Sequence, residues 1–420
     1  MRPRGYVDVP YVADMLQLND YDEIQEVLKS PVFEQGAFGL TGPTLLQGAV
    51  SVLHGKEHFS RRRVEAHLFG QDALRRYLAE DLVPMVNHVL STRLDGEPGE
   101  TVATDLVELT WHMLCRLAGS VVGIDRLDDP SVLERLVGYT QVFGRGLTVE
   151  WATTGDQYEI IKRTLVTREA FDADLFGPSL DRRQRLVAQF ERGEIERSDL
   201  PTDLITLLTL HRSEPWDEEL PLREATLFLV AATQTTVQAF PHFIMHLERW
   251  FAQETGRRDL IKSEPALLAR AAHESLRLFV ASPVRIRRAR DTVTLSSGRT
   301  IARGQQVGLL LQAANTDVRV FGDDADRFNP ARDVGRRPQW GLAFGGGPHM
   351  CIGRPLVTGA LAGGDVTADG SMVTIARRLY ELDMILDPNS PPVRDDSTFH
   401  PAYEAVPVRL RVPTTKKVRP

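Results

Sequence analysis

Phe344-Gly345-Gly346-Gly347-Pro348-His349-Met350-Cys351-Ile352-Gly353-Arg354 is the stretch on which the reading of this chain turns. Three consecutive glycines and a proline make a tight turn, with a positive φ expected at a glycine. Such a turn can bring backbone N–H groups toward one atom. The thiol of Cys351 follows directly, at the mouth of an expected helix, where the helix dipole and converging amides favour a thiolate. A thiolate held this way suits a soft metal or an iron cofactor. Zinc would need further ligands. Nearby the sequence offers only His349 and no second cysteine. A lone protein thiolate points to a cofactor that fills the remaining positions itself, which is haem. The plainer alternative is a buried free cysteine in a glycine-rich turn.

Composition narrows the field around that segment. The 420 residues carry a net charge of −7, which argues against a nucleic-acid binder. Only two cysteines occur, Cys115 and Cys351, which excludes a disulfide scaffold and an all-cysteine zinc site. Cys115 lies in the apolar run Trp111-His112-Met113-Leu114-Cys115 and is read as core. Met1-Arg2-Pro3-Arg4-Gly5 has no apolar stretch behind its arginines, so no signal peptide is expected. The apolar run from Leu227 to Ala232 is too short to span a bilayer. The expected compartment is the cytoplasm, with no membrane contact.

Helical periodicity is read over 20–29, 56–69, 72–93, 101–122, 157–175, 179–192, 200–211, 219–250 and 264–279. After Pro283 the texture changes. Thr292 to Leu295 and Gln305 to Gln312 read as strands, with a turn at Ser297-Gly298, and Val406 to Val412 reads as a last strand. The expected fold class is mainly α with a smaller β-rich part, organised as one intertwined domain over 1–420.

The cysteine segment resembles the haem-binding loop of the cytochrome P-450 family. That family's pattern is phenylalanine, two residues, glycine, three residues, cysteine, one residue, glycine. Phe344, Gly347, Cys351 and Gly353 match it in register, with Gly345 inside it and His349 two residues before the cysteine. Glu274 and Arg277 share a helix face and resemble the family's Glu-x-x-Arg motif. Arg332, in Phe328-Asn329-Pro330-Ala331-Arg332, matches the third partner of that structural network. His58 and Arg62 are four apart and look like the family's His-x-x-x-Arg pair for haem propionates. By the same resemblance Arg287 would hold a propionate, with Arg288 as the adjacent register, and His349 would be a fourth contact. Arg61 and Arg63 are read as facing an acidic electron-transfer partner.

The oxygen-side helix is the long apolar one, Leu222 to His246. Its centre reads Ala231-Ala232-Thr233-Gln234-Thr235-Thr236, where the family has Ala-Gly-x-acid-Thr. Ala232 replaces the glycine and Gln234 the acid, while Thr235 remains. Gln234 can order water but cannot ionise. The resemblance covers roughly residues 10 to 410, judged by motif order. Two features depart from it further: a short N-terminus, and an insertion near 362–370 that interrupts the helix expected after Pro355. The glycine-rich stretch between Phe33 and His54 lies where the family covers its substrate.

The resemblance implies the P-450 fold, a triangular helical body around a buried haem b. It implies a haem-thiolate monooxygenase that puts one oxygen atom from dioxygen into a small lipophilic substrate. Cys351 would be the iron ligand, and Thr235 with Gln234 the oxygen-side residues. Electrons would come from a ferredoxin or flavodoxin-like donor with its reductase, since no reductase segment is read in the chain. Leu45, Ala231, Val280, Val284 and Phe399 are the substrate candidates by place, mostly apolar. The missing acid leaves a second chemistry open: peroxide-driven oxidation, oxidative coupling, isomerisation or dehydration. A haem carrier or sensor without catalysis is the third reading.

Overall fold

Local signals in the sequence explain where several helices begin. Asp20 accepts hydrogen bonds from the N–H groups of Asp22 and Glu23 and so starts the helix Tyr21–Lys29. Asp129 does the same for Ser131, with Pro130 in the first turn, and opens the helix Pro130–Leu147. Asp156 and Asp203 cap Gln157–Phe171 and Leu204–Leu210. The computed structural model describes residues 10–212, 217–362 and 365–412. The arginine-bearing N-terminal residues Met1–Gly5, read above for a signal peptide, lie outside the described residues.

The chain forms two compact units, and neither is one continuous segment. One gathers the residues up to Ala37, Val86–Val107 and everything from Thr236 onward; the other gathers Phe38–Met85 and Glu108–Thr235. The second unit is helical. It holds the basic helix Gly55–Glu65, the helices Pro130–Leu147, Gln157–Phe171, Gly177–Glu191 and Leu204–Leu210, and the first half of the long helix Leu220–Phe251.

Every strand among the described residues belongs to the first unit. Its largest sheet runs in the order Leu16–Leu18, Gln306–Leu310, Val284–Ala289, Phe33–Gln35. The first pair is parallel and the others are antiparallel. A core of Tyr21, Ile24, Phe33, Val280, Val307, Leu309, Leu311, Phe321 and Leu342 packs between this sheet, the helix Tyr21–Lys29 and the segment leading to Cys351. A second sheet joins Ile385–Leu386, Pro407–Arg411 and Thr101–Asp105.

The mainly helical fold with a late β-rich part is as the sequence predicts, and four local readings need correction. Residues 101–105 are a strand, not the start of a helix; the alternating Thr101-Val102-Ala103-Thr104 favours β pairing, and Pro407–Arg411 supplies the partner. The helix follows as Leu106–Val122. Pro130–Leu147 is a helix that the periodicity reading left out. Val284–Ala289 is a strand in the middle of the main sheet. After Pro355 the helix is only Arg354–Thr358, and the interrupting segment forms two antiparallel strands, Ala360–Ala362 and Asp365–Ala368. The helix resumes at Ser371, as expected. Cys115 is fully buried, and burial pushes its thiol up to about 12.

Candidate functional site

Cys351 is exposed, directly after the turn Gly347–His349. Its backbone N–H donates to the carbonyl of Phe344 at 2.9 Å, which closes the loop across the glycines. Gly345 and Gly347 both have left-handed backbones, with φ of +69° and +62°. At Gly347 the need for glycine is doubled, because a Cβ there would sit 2.0 Å from the carbonyl oxygen of Leu28. Trp340 meets Phe344 edge to face, and the Arg354 guanidinium lies over the Trp340 ring at 5.1 Å. The loop therefore presents Cys351 on a backbone that only this glycine pattern permits.

Behind the loop, Glu274, Arg277 and Arg332 meet in the interior of the same unit. Arg277 is fully buried and grips Glu274 with two parallel hydrogen bonds of 2.8 and 2.7 Å. Arg332 adds a bond of 3.0 Å to the same carboxylate. The remaining guanidinium N–H groups reach the carbonyls of Ala325, Phe321 and Asp324. Asn315 completes the frame. Its amide donates to the Arg277 carbonyl and its oxygen accepts from Leu342 N–H. The charges are paired and their hydrogen bonds are filled; removing one partner would strand the others at about 3–5 kcal/mol. The network thus fixes the segment that leads into the cysteine turn.

Arg287 and Arg288 separate by strand alternation. Arg288 is exposed and pairs with Glu34 across the strands. Arg287 is 4% exposed and hydrogen-bonds Gln35 and the carbonyl of Ile286. No carboxylate pairs with it among the described residues. Burial first, and then the neighbouring Arg285, push it down to about 10. A buried guanidinium without an anion is costly. His349 stands half-buried in the turn before Cys351, and Val280 and Val284 are buried. Phe399 is partly exposed beside the buried His400.

The helical unit holds its own set. His58 is buried on the basic helix, one turn from Arg62. Burial, then the charge of Arg62, then His54, push His58 down to about 4, so the imidazole is neutral. An anion arriving beside this pair would meet a positive field. The long helix is buried along most of its length, yet Ala231 and Thr235, four apart on one face, are exposed. The Thr235 hydroxyl donates back to the Ala231 carbonyl at 3.0 Å, which leaves its lone pairs free to accept from water or a ligand. Gln234 points elsewhere: its Oε1 would touch a Cβ placed on Gly144 at 2.5 Å, and it accepts no hydrogen bond among the described residues. Leu45 is buried, with its carbonyl accepting from Arg168. Arg61 is corrected: it turns inward to a buried carboxylate, Glu224, at 2.8 Å, while Arg63 stays exposed.

Sequence reasoning missed two features. One is the acid pair Glu65 and Glu224, both with no exposed surface. Its signal was faint, since Glu224 follows Arg223 at the start of the long helix and reads as one half of an ordinary charged helix end. The other is a cleft of 1270 Å³ beside the cysteine turn. Lys29, Arg336, Arg337 and Arg354 line it and form no ion pair among the described residues. Cations this far apart in sequence give no local motif.

The residues present fit a haem. In the first unit a reachable thiol stands on a glycine cradle and Arg287 is a buried cation; the helical unit, taken by itself, offers a neutral, buried His58 beside the charge of Arg62. Among the described residues no group of three or more His, Cys, Asp or Glu converges as an alternative metal site. No helix among them is long and apolar enough to cross a membrane.

Comparison with known proteins agrees with this geometry. The family model described as Cytochrome P450 matches residues 264–358, the stretch that contains both Glu274 and Cys351. "Cytochrome P450-SU2" of Streptomyces griseolus is 31% identical over 216 residues, which span 51% of this chain and 48% of that protein. "Mycinamicin IV hydroxylase/epoxidase" of Micromonospora griseorubida is 27% identical over 371 residues, 84% of this chain and 81% of that one. The matched segment thus spans about half the length of the first of these relatives. The solved structure of P450BioI in complex with an acyl carrier protein ligated to hexadec-9Z-enoic acid superposes with a TM-score of 0.69 at 19% identity, over 94% of this chain and 92% of that one. The glycine-cradled Cys351 and the Glu274–Arg277–Arg332 network behind it both lie within residues 264–358, and over that stretch the chain is similar to the cytochrome P450 family, whose members bind haem b through a cysteine thiolate.

Proposed function

We propose that the protein is a haem-thiolate monooxygenase acting on a small lipophilic molecule, with electrons from a separate donor. The observation that carries this is the exposed Cys351 at the end of a turn built on two left-handed glycines. When bound, the haem supplies reductive activation of dioxygen, promoted by thiolate donation. Cys351 would ligate the iron through Sγ. Arg287 and His349 would take propionate charge in the first unit, and within the helical unit His58 and Arg62 would form an anion-holding pair of their own. Each carboxylate would bring negative charge to these cations, and the His58 imidazole would regain basicity as its anion arrives.

Thr235 Oγ1 is the group that would hold or pass a proton on the oxygen side. Its bond to the Ala231 carbonyl fixes the hydroxyl, and its exposed position leaves it open to a water partner. The adjacent Gln234 contributes no ionisable group, so protons would come through Thr235 and water. That absence also favours a second reading, turnover with peroxide, which needs no relayed protons. Ala231, Val280, Val284 and Leu45 are apolar and suit a lipophilic substrate. Phe399 keeps its place among the candidates.

Electron supply is read from the cationic cleft. Lys29, Arg336, Arg337 and Arg354 would attract an acidic ferredoxin or flavodoxin-like donor close to the cysteine turn. The test is spectroscopic first. The reduced, carbon-monoxide-treated protein should give the red-shifted Soret band of a thiolate-ligated haem, and Cys351→Ala should lose it. Retention of that band in Cys351→Ala would refute the ligand assignment. A Soret shift on titration with apolar organic compounds, followed by donor-driven oxygen insertion, supports monooxygenation. Turnover with peroxide alone would replace it with the second reading.

A further inference from the structure

Glu65 ends the basic helix and Glu224 stands in the first turns of the long helix. Both belong to the helical unit, and neither exposes any surface. They face each other closely enough to hydrogen-bond. One oxygen of Glu224 is well supplied: it accepts from Arg61 Nη1 at 2.8 Å and from the backbone N–H of Val50 at 2.8 Å. The other Glu224 oxygen and both Glu65 oxygens are buried, and no N–H or hydroxyl donor among the described residues reaches them.

Charge counting then decides the protonation. Arg61 balances one carboxylate. Arg62 also faces Glu65, but as its weakest influence. A second bare carboxylate against the first, with neither exposing any surface, would be strongly repelled. Among the described residues, the donor left to satisfy the orphaned oxygens is a proton between them. Burial first, and then the Glu224 charge, push the Glu65 carboxyl up to about 10. Burial likewise raises Glu224.

The pair joins the two helices that carry the functional faces of this unit. Glu65 is seven residues from His58 and three from Arg62, on the same side of the basic helix. Glu224 is eleven residues before Thr235, three turns along the same side of the long helix. We infer that a single proton shared by Glu65 and Glu224 fastens the basic helix to the long helix, making both glutamates positioning residues for the anion-holding pair His58 and Arg62. This rests on the haem reading only for what His58 and Arg62 hold, not for the proton itself. Arg61, Arg62 and the Val50 amide are the other groups that face the pair.

Infrared difference spectroscopy of the protein without haem should show the carbonyl stretch of a protonated carboxyl at neutral pH, absent in Glu65→Gln. The amide introduced by that substitution would keep a permanent N–H bond to Glu224 that cannot titrate. Haem transfer to excess apomyoglobin gives the second readout. Wild type and E65Q should release haem equally slowly at neutral pH. As the pH climbs toward about 10, wild-type release should quicken by up to about tenfold per pH unit, while E65Q stays flat. Lack of the carboxyl band, or one pH profile shared by both proteins, would overturn the proposal. Glu224→Gln provides the same comparison if E65Q fails to fold. Should wild type take up no haem, the haem reading falls, and the carboxyl band still decides the proton.

Discussion

Arg287 carries, at the level of one side chain, the cost that the proposed haem would offset. A guanidinium that is buried and unmatched is a cost to the folded chain until an anion arrives. Arg287→Met should therefore stabilise the haem-free protein by about 1–4 kcal/mol while weakening haem retention. Urea midpoints of both forms check this, and equal loss of stability in both would refute it. The sequence could not choose between Arg287 and its neighbour, because two arginines in a row look alike without a strand register. Pairing with Gln35 and Glu34 makes the choice. Arg61 shows the opposite limit. It reads as a surface charge in a basic run, and only the fold reveals the buried Glu224 that draws it inward.

The helix Pro130–Leu147 shows how far a whole element can hide. Its buried stripe, Val132, Leu133, Leu136, Val137, Thr140 and Phe143, has helical spacing, but three glycines lower its intrinsic propensity. Two of those glycines are contact points. A Cβ at Gly146 would fall 2.2 Å from Thr164 Oγ1, on a buried β-branched side chain with little room to turn. At Gly138 nothing lies within 4 Å. Gly146→Ala should thus destabilise by about 1–3 kcal/mol through overpacking. Gly138→Ala should stabilise by about 0.5–1 kcal/mol through propensity. Thermal melts of the two variants test the contrast, and the same sign in both would refute it. The cysteine turn was legible for the reason this helix was not: its glycines, proline and cysteine are a local pattern, whereas a helix packed through glycines depends on neighbours distant in sequence. The strand Thr101–Asp105 escaped detection likewise, since its partner stands some three hundred residues later.

Across the molecule, acid should act through buried histidines. His242 stacks on Phe279 at 3.8 Å and contacts the Pro401 carbonyl; His246 stacks on Phe328 and contacts Ser275 Oγ. Burial first of all pushes His242 down to about 4 and His246 and His400 to about 3. Unfolded histidines take up protons below about 6.5, and these do not until far lower, so their stability contribution is present above that pH and drains away below it. Each can cost up to about 1.4 kcal/mol per pH unit in that window. Melting temperature should fall from about pH 6.5 toward 4, and His242→Gln with His246→Gln should flatten the fall; an unchanged slope would refute the assignment. The family could be seen in the sequence because its motifs are short and ordered. The division into two interleaved units could not, since it depends on where distant segments meet. That interleaving bears on synthesis. Thr101–Asp105 leaves the ribosome long before Pro407–Arg411, and at about 5–20 residues per second the wait is roughly 15–60 s. For that time a nascent chain carries an unpaired strand edge and half-built cores, an exposure that favours aggregation until the last strand is made.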